Sequence, residues 1–173
     1  MSSCICTSCS ILVRDSREYR LRAFRENDAE ALLSMTRAAI ERIGRRAYDE
    51  RQLAVWSEGH TSEDRFRERS EAGHLIVVAA DRNDMAVGYA LWEPDGHFDM
   101  LYCHPEHAGK GLGGRLVAHV LTRARARGLD RMWTEASDLA RPVFERAGFE
   151  VLKRNEFDLR SVSIHNWAME VRL

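Results

Sequence analysis

A run of four glycines within residues 109–114 is the feature that most constrains how this chain can fold. It lies inside HPEHAGKGLGGRL (104–116), and the apolar residues that follow recur at helical spacing. Glycine loses more backbone entropy on folding than any other residue, so four together need a reason. A glycine loop ahead of a helix exposes successive backbone N–H groups at the positive end of the helix dipole, which suits an anion. We therefore predict a phosphate-binding loop followed by a helix over 113–127.

Two well-known phosphate loops fit this stretch poorly. A Walker loop needs Ser or Thr after a final Gly-Lys, whereas Lys110 lies inside the loop with no such residue after it. Gly109, Gly111 and Gly114 do satisfy the dinucleotide pattern G-x-G-x-x-G, with Glu135 near the expected distance beyond. However, that fold needs a parallel strand just before the glycines, and here the preceding strand reads as one arm of a hairpin. The dinucleotide fold therefore stays open as an alternative, but its match to this sequence is weak.

The rest of the chain alternates between strand and helix patterns. Strands are predicted over 19–24, 74–81, 86–94, 97–105, 131–137, 149–157 and 163–173, and helices over 28–48, 49–56, 62–73, 113–127 and 140–148. Asn27 or Asp28 is the expected cap of the first helix. This order predicts an α/β (α+β) fold, a mixed sheet with helices on its faces. We expect one domain over 18–173 and a disordered tail over 1–17.

Composition excludes several functional classes. Lys plus Arg number 26 against 27 Asp plus Glu, so nonspecific nucleic-acid binding is not expected. No apolar run approaches the roughly 18 residues of a membrane span, and the N-terminus lacks a secretory apolar segment. We expect a cytoplasmic protein with no membrane or nucleic-acid partner.

Two clusters of metal-binding residue types are weak candidates for metal sites. Cys4, Cys6 and Cys9 lie close together, but nothing nearby completes a four-ligand site. Cys103 and the two histidines after it form C-H-x-x-H, with His97 on the same strand, yet Pro105 interrupts the pattern. We predict no metal.

The segment LYCHPEHAGKGLGGRL (101–116) resembles the acetyl-CoA loop of the GNAT superfamily of N-acetyltransferases. That loop has a strand, a proline, [Gln/Arg]-x-x-Gly-x-[Gly/Ala] and a helix. Gly111 and Gly113 match the last two marked positions, and Ala108 stands in place of Gln or Arg. ARPVFERAGF (140–149) is similar to the family's next motif. YDERQLAVW, EASDLARPVFERAGF and NWAME resemble its YafP-like bacterial branch most of all.

This resemblance implies a GNAT fold that binds acetyl-CoA and acetylates a primary amine. It implies that the main chain of the strand before the loop pairs with the pantetheine arm and that the loop holds the pyrophosphate. Ser137 stands where Asn is usual, and Phe144 stands where many members carry a tyrosine that protonates the leaving thiolate. A phenyl ring cannot donate that proton. The implied cofactor-binding residues are Leu101, Cys103, Ala108, Gly109, Lys110, Gly111, Leu112, Gly113, Gly114 and Ser137.

The chemistry of amine acetylation points to carboxylates. A lysine-like amine with a pKa of about 10.4 is roughly one part in a few thousand free base at neutral pH, so a general base is expected. Asp99, Glu135 and Glu93 lie on predicted strands, and the resemblance favours Asp99 and Glu135. Tyr102 or Tyr89 could donate a proton in place of Phe144, and Tyr102 is our choice.

The acceptor is the least constrained part of the prediction. A small-molecule amine is our first choice, with the helical region 28–73 as the acceptor wall, and a protein or peptide amine is the second. A non-catalytic acyl-CoA-binding regulatory module is the alternative from another class. We also expect that the final strands could pair two chains into a homodimer.

Overall fold

Seven strands in two sheets frame the part of the chain that the computed structural model describes, residues 18–173. The predicted tail and the cluster of Cys4, Cys6 and Cys9 lie outside these residues. The strands are β1 (Arg20–Ala23), β2 (Leu75–Ala80), β3 (Ala86–Trp92), β4 (Phe98–Cys103), β5 (Arg131–Ala136), β6 (Glu150–Leu159) and β7 (Val162–Arg172). The helices are α1 (Ala29–Arg42), α2 (Glu50–Glu58), α3 (Asp64–Glu71), α4 (Leu112–Ala126) and α5 (Arg141–Arg146). The predicted α/β (α+β) class is confirmed.

The first sheet is an antiparallel meander in the order β1-β2-β3-β4. Its last pairing carries an irregularity, because Leu91 faces Met100 while Trp92 faces Phe98. Asp99 is therefore an extra residue on β4, a bulge of the kind that redirects a side chain near a site. The bulge sits where β4 meets the second sheet.

The second sheet has the order β5-β7-β6 and is also antiparallel. It joins the first sheet through one parallel bridge between His97 and Trp133, and Thr134 Oγ1 donates to the Phe98 carbonyl at 2.8 Å. Within residues 18–173 no β-ladder continues this contact along β4 and β5. The two strands consequently leave a cleft between their carboxyl-terminal halves.

Helices cover both faces of the first sheet. On one face, α4 packs its apolar side chains against β3, β4 and the aromatic cluster of Phe98, Phe144 and Phe149. On the other face, α1 and α3 bury residues such as Leu32 and Phe66 against Tyr89. Helices thus pack on both faces of the sheet that contains β4, and this packing fixes the wall of the cleft that β4 forms. No helix in the described part is long and apolar enough to cross a membrane.

The first helix differs from its prediction at both ends. Asp28 occupies the N-cap position, but its carboxylate accepts from the Arg25 N–H and pairs with Arg22 instead of capping α1. The predicted 28–48 helix stops at Arg42 and continues as a short turn, Gly44–Arg46. The turn packs tightly, because a Cβ on Gly44 would lie 2.5 Å from a Leu53 methyl group. The chain therefore packs closely against α2 just after α1 ends, a contact that the periodicity of the sequence does not predict.

Candidate active site

A cleft of about 340 Å³ opens between β4 and β5. Its walls come from the end of α1 and the turn after it, from β4, from the glycine loop, from β5, and from α5 with the loop before it. The cleft therefore touches both motifs singled out in the sequence. We call the side formed by the glycine loop, the end of β4 and α5 the cofactor wall. We call the side formed by α1, its following turn, α2, Asp99, Tyr102 and Glu135 the acceptor wall.

Six of the predicted cofactor-binding residues line the cleft, namely Leu101, Cys103, Ala108, Gly109, Gly113 and Ser137. Four others, Lys110, Gly111, Leu112 and Gly114, lie in the same loop and first helical turn without lining the cleft. Leu112 is buried in the core, where its side chain would lie 3.0 Å from a Cβ on Gly88. Lys110 Nζ lies 4.0 Å from Glu18. For these four residues, a role in binding remains a prediction.

The conformation of the loop explains why it needs glycine at two positions. Gly109 and Gly111 have φ values of +74° and +81°, in the left-handed region that other residues rarely adopt. Gly111 is the N-cap of α4, so the chain enters the helix through this left-handed turn. The loop is held from outside, because Tyr19 Oη bonds His107 Nδ1 at 2.9 Å and Arg115 donates to the Tyr19 carbonyl. A fixed loop with N–H groups ahead of a helix suits a phosphate group.

The cofactor wall has the shape and chemistry that a pantetheine arm requires. A Cβ on Gly113 would lie 3.6 Å from Val143 and 3.9 Å from Leu101, so the bare glycine keeps a narrow apolar passage open. β4 pairs only with β3 along its carboxyl-terminal half in the described part, which leaves one backbone edge facing the cleft. That edge can hydrogen-bond an extended amide-containing chain. The residues present therefore fit acetyl-CoA.

The loop between β5 and α5 is fixed by a cluster around Asp138. Its carboxylate accepts from Trp167 Nε1 at 2.6 Å and lies 2.9 Å from His165 Nε2, while its backbone N–H donates to Tyr48 Oη at 2.9 Å. Burial tends to raise the pKa of Asp138, but the bonds to Trp167 and His165 outweigh it and lower the pKa below its usual value. The cluster thus joins β7 and the segment before α2 to the loop that carries Ser137.

Asp99 and Glu135, the two predicted bases, both line the cleft. Arg69 Nη1 lies 2.9 Å from Asp99 Oδ2, a buried oxygen that forms this ion pair without an aligned hydrogen bond. Glu135 Oε2 lies 2.7 Å from His97 Nε2 and is more exposed. The two carboxylates differ in their partners, since a guanidinium stays charged whereas an imidazole can gain or lose a proton.

His97 links Glu135 to the rest of a charged network at the base of the cleft. Its Nδ1 lies 3.3 Å from Glu93, and Glu93 lies 3.2 Å from Arg69. Burial alone would lower the pKa of His97, but hydrogen bonds to Glu135 and Glu93 outweigh it and raise the pKa above its usual value. Glu93 itself does not line the cleft and acts as a link between His97 and Arg69.

The aromatic residues proposed as proton donors have separate positions. Tyr102 lines the cleft, stacks on Tyr89 at 5.7 Å and meets His60 edge-on at 5.9 Å. Burial raises the pKa of Tyr102 above its usual value, so its hydroxyl keeps its proton. Tyr89 is fully buried away from the cleft and bonds Thr36. Phe144 borders the cleft from within the aromatic core.

Sequence reasoning missed several residues of the acceptor wall. Trp56 borders the cleft together with Ile40, Ile43 and Arg46. The region 28–73 does line this side of the cleft. Helical spacing places Ile40 and Ile43 on the apolar face of the first helix, but it does not show that they border a cleft. The four residues lie on three different elements and meet only in the folded chain.

Metal-binding side chains are not grouped in the described part of the chain. Among residues 18–173 no three His, Cys, Asp or Glu side chains are placed to hold an ion. His107 instead bonds Tyr19, and burial raises the pKa of the Cys103 thiol to about 12. The thiol is therefore neutral in the cleft.

Comparison with known proteins gives consistent matches. The family described as "Acetyltransferase (GNAT) domain" matches residues 45–171. The uncharacterized N-acetyltransferase YafP of Escherichia coli is 24% identical over 153 residues, which cover 88% of this chain and 95% of YafP. A GCN5-related N-acetyltransferase structure from Rhodopseudomonas palustris has a TM-score of 0.81 and 28% identity, covering 90% and 96% of the two chains.

A third match was solved with its acyl donor. The phosphinothricin acetyltransferase of Sinorhizobium meliloti, in complex with acetyl-CoA, has a TM-score of 0.71 and 21% identity over 90% of this chain and 89% of its own. These matches confirm the resemblance, the enzyme class and the acetyl-CoA co-substrate that the sequence predicts.

Proposed function

The chain belongs to the GNAT family of acetyltransferases, and we propose that it transfers an acetyl group from acetyl-CoA to the primary amine of a small molecule. The observation that carries the proposal is the cleft between β4 and β5. One wall offers loop backbone and apolar surface, and the other offers Asp99 and Glu135. Acetyl-CoA supplies the thioester carbonyl and the thiolate leaving group.

The two carboxylates have different roles in this proposal. Both attract the ammonium form of the acceptor into the cleft. Glu135 then takes the proton, because its partner His97 is half-buried, titratable and able to pass the proton on to solvent. Asp99, paired with Arg69, holds the amine in position. Removing this proton is worth on the order of 4–5 kcal/mol for a lysine-like amine, so the base matters.

Tyr102 is the group that we propose donates a proton to the leaving thiolate. It lines the cleft on β4, and its raised pKa keeps the hydroxyl protonated at neutral pH. Phe144 cannot play this part. Because a thiolate is a fair leaving group, we expect Tyr102→Phe to reduce kcat by about tenfold, at or below the low end of acid–base catalysis.

A small-molecule acceptor is supported by the size of the cleft, about 340 Å³, and by the aromatic residues Trp56 and Tyr102 on its acceptor wall. The phosphinothricin acetyltransferase of the same fold also acts on a small molecule. One domain over 18–173, a cytoplasmic location, a homodimer and the lack of a nucleic-acid partner remain predictions.

Calorimetric titration of the full chain with acetyl-CoA is the experiment that tests the proposal, with NADH and ATP as controls. We expect micromolar binding of acetyl-CoA and no binding of NADH or ATP. Addition of primary amines should then release the CoA thiol. NADH binding in preference to acetyl-CoA would favour the dinucleotide alternative. Absence of acetyl-CoA binding would contradict the assignment of the cleft.

A further inference from the structure

Arg46 is a cation on the acceptor wall that has no acidic partner in the described part of the chain. It lines the cleft together with Asp99 and Glu135, and no carboxylate of residues 18–173 lies within 4.0 Å of its guanidinium. The other arginines near the cleft are paired, Arg69 with Asp99 and Arg141 with Glu145. The charge of Arg46 is therefore available to a ligand.

The turn that carries Arg46 is fixed on both sides. Gly44 packs so closely against Leu53 that a Cβ at this position would force the Leu53 side chain to shift. Tyr48, two residues after Arg46, is buried and its hydroxyl accepts from the Asp138 backbone N–H. A side chain anchored on such a turn loses less entropy on binding than one on a mobile loop. The backbone that carries Arg46 is thus fixed at the cleft wall, and its side chain is exposed.

The surface around these charges is apolar and aromatic. Ile40, Ile43, Trp56 and Tyr102 line the acceptor wall with Arg46 and the two carboxylates. A ligand that satisfies this wall has an ammonium for Asp99 and Glu135, an anion for Arg46, and an apolar body. A guanidinium pairs with a carboxylate through two parallel hydrogen bonds, which adds orientation as well as affinity.

We infer that Arg46 binds the carboxylate of the acceptor and that the acceptor is an apolar amino acid or a close analogue. This inference rests on the proposed function, since it names the substrate class of the same cleft. A polyamine or a basic peptide would instead bring a second cation beside Arg46. An amine without an anionic group would leave the guanidinium unused.

The test compares acceptors that differ only in the carboxylate. L-leucine, L-methionine and L-phenylalanine are each assayed beside their C-terminal amides by CoA thiol release. We expect kcat/KM to be about tenfold or more higher for the amino acids, the size of one charged hydrogen-bonded contact at a partly exposed site. The amides have more free amine at neutral pH, which works against this preference.

Variants then attribute the preference to one residue. Arg46→Met is expected to remove the advantage of the carboxylate while leaving kcat/KM for the amides and the KM for acetyl-CoA near their original values. Arg46→Lys is expected to keep part of the advantage, because a point charge replaces a bidentate fork. Arg45→Met is the matched control, since Arg45 lies on the same turn, is exposed and does not line the cleft; it should keep the full preference.

The outcomes separate the inference from the proposed function. Acetylation of amides and amino acids at equal rates overturns the inference and leaves the proposed function standing. A rise in the KM for acetyl-CoA in Arg46→Met, with the carboxylate preference intact, also overturns it and places Arg46 on the cofactor. Acetyl-CoA binding without transfer to any amine of the panel, to spermidine or to a lysine peptide overturns both.

Discussion

The two walls of the cleft are built in different ways. The cofactor wall comes largely from one continuous segment, Leu101 to Gly113, and offers backbone groups, missing side chains and apolar surface. The acceptor wall gathers ionised side chains from separate elements, and Asp99 and Glu135 depend on Arg69 and His97 behind them. One wall is a matter of chain conformation, whereas the other is a matter of side-chain chemistry.

This difference predicts how each wall responds to substitution. Ala108 and Ser137 depart from the family's usual residues without removing a backbone donor, so the cofactor wall should tolerate them. The acceptor wall should tolerate substitution less well, because each of its charges comes from a single side chain. Substitutions should therefore act on catalysis at the acceptor wall and on binding at the cofactor wall.

The largest effect is expected for Glu135→Gln. The amide keeps the shape of the side chain but cannot take a proton, so kcat should fall by about a hundredfold to ten-thousandfold. The Kd for acetyl-CoA should stay within about twofold, since the cofactor wall is untouched. Steady-state kinetics and calorimetry on the same preparation measure both quantities.

Glu150→Gln is the matched control for this variant, because Glu150 is exposed at the start of β6 and does not line the cleft. It should leave kcat unchanged. Normal turnover in Glu135→Gln and in Asp99→Asn would show that positioning alone drives the reaction.

Gly113→Asp should give the next largest effect, on the other wall. A Cβ at this position meets only ordinary contacts with Val143 and Leu101, so the chain should still fold. The carboxylate would enter the apolar passage that we assign to the pantetheine arm and would repel the anionic cofactor. The Kd for acetyl-CoA should therefore rise by at least about a hundredfold.

Ala118→Asp is the control for added charge, because Ala118 lies on the exposed face of the same helix, α4. Its Kd for acetyl-CoA should remain that of the original chain. Unchanged affinity in Gly113→Asp would remove the cofactor wall as we define it.

Tyr48→Phe tests the connection between the two walls. The ring should keep its edge-on contact with Trp56 at 5.3 Å, while the Asp138 N–H loses its acceptor. We expect a loss of about 1–2 kcal/mol in the free energy of unfolding and a rise of a few fold in the KM for acetyl-CoA. Urea denaturation and kinetics measure these; a stability loss with no change in KM would mean that the loop before α5 does not depend on this bond.

The sequence predicts the fold class and the glycine loop that borders the cleft, and it does so for a physical reason. A left-handed turn ahead of a helix needs glycine, so Gly109 and Gly111 are visible in the sequence, and the apolar pattern marks the strand before the loop and the helix after it. The strand pattern supplies Asp99, Glu135 and Glu93 as candidates, and the family resemblance favours Asp99 and Glu135 among them.

The acceptor wall could not be predicted in the same way. The hydrogen bond between the Asp138 N–H and Tyr48 Oη spans 90 positions, and Arg46 lies on a turn where Gly44 packs on Leu53 of another helix. Such contacts depend on how the sheets and helices meet, and no local spacing encodes them. His97 was noted only as a metal ligand, since nothing in the sequence places it beside Glu135.

The smallest effect on the free energy of unfolding is expected for His97→Gln, and this effect should depend on pH. Because the folded chain raises the pKa of His97, its imidazolium stabilises the fold fully below the usual value and loses that contribution as pH rises through the folded pKa. The unfolding free energy of the original chain should exceed that of the variant by about 1 kcal/mol or less at about pH 5.5, and the difference should shrink by about pH 8.5. His119→Gln is the control of opposite sign: burial and then Arg123 lower the pKa of His119, so the original chain should lose stability relative to that variant as pH falls. Urea titrations at both pH values measure the two trends, and parallel behaviour of the variants would mean that His97 is not held between Glu135 and Glu93.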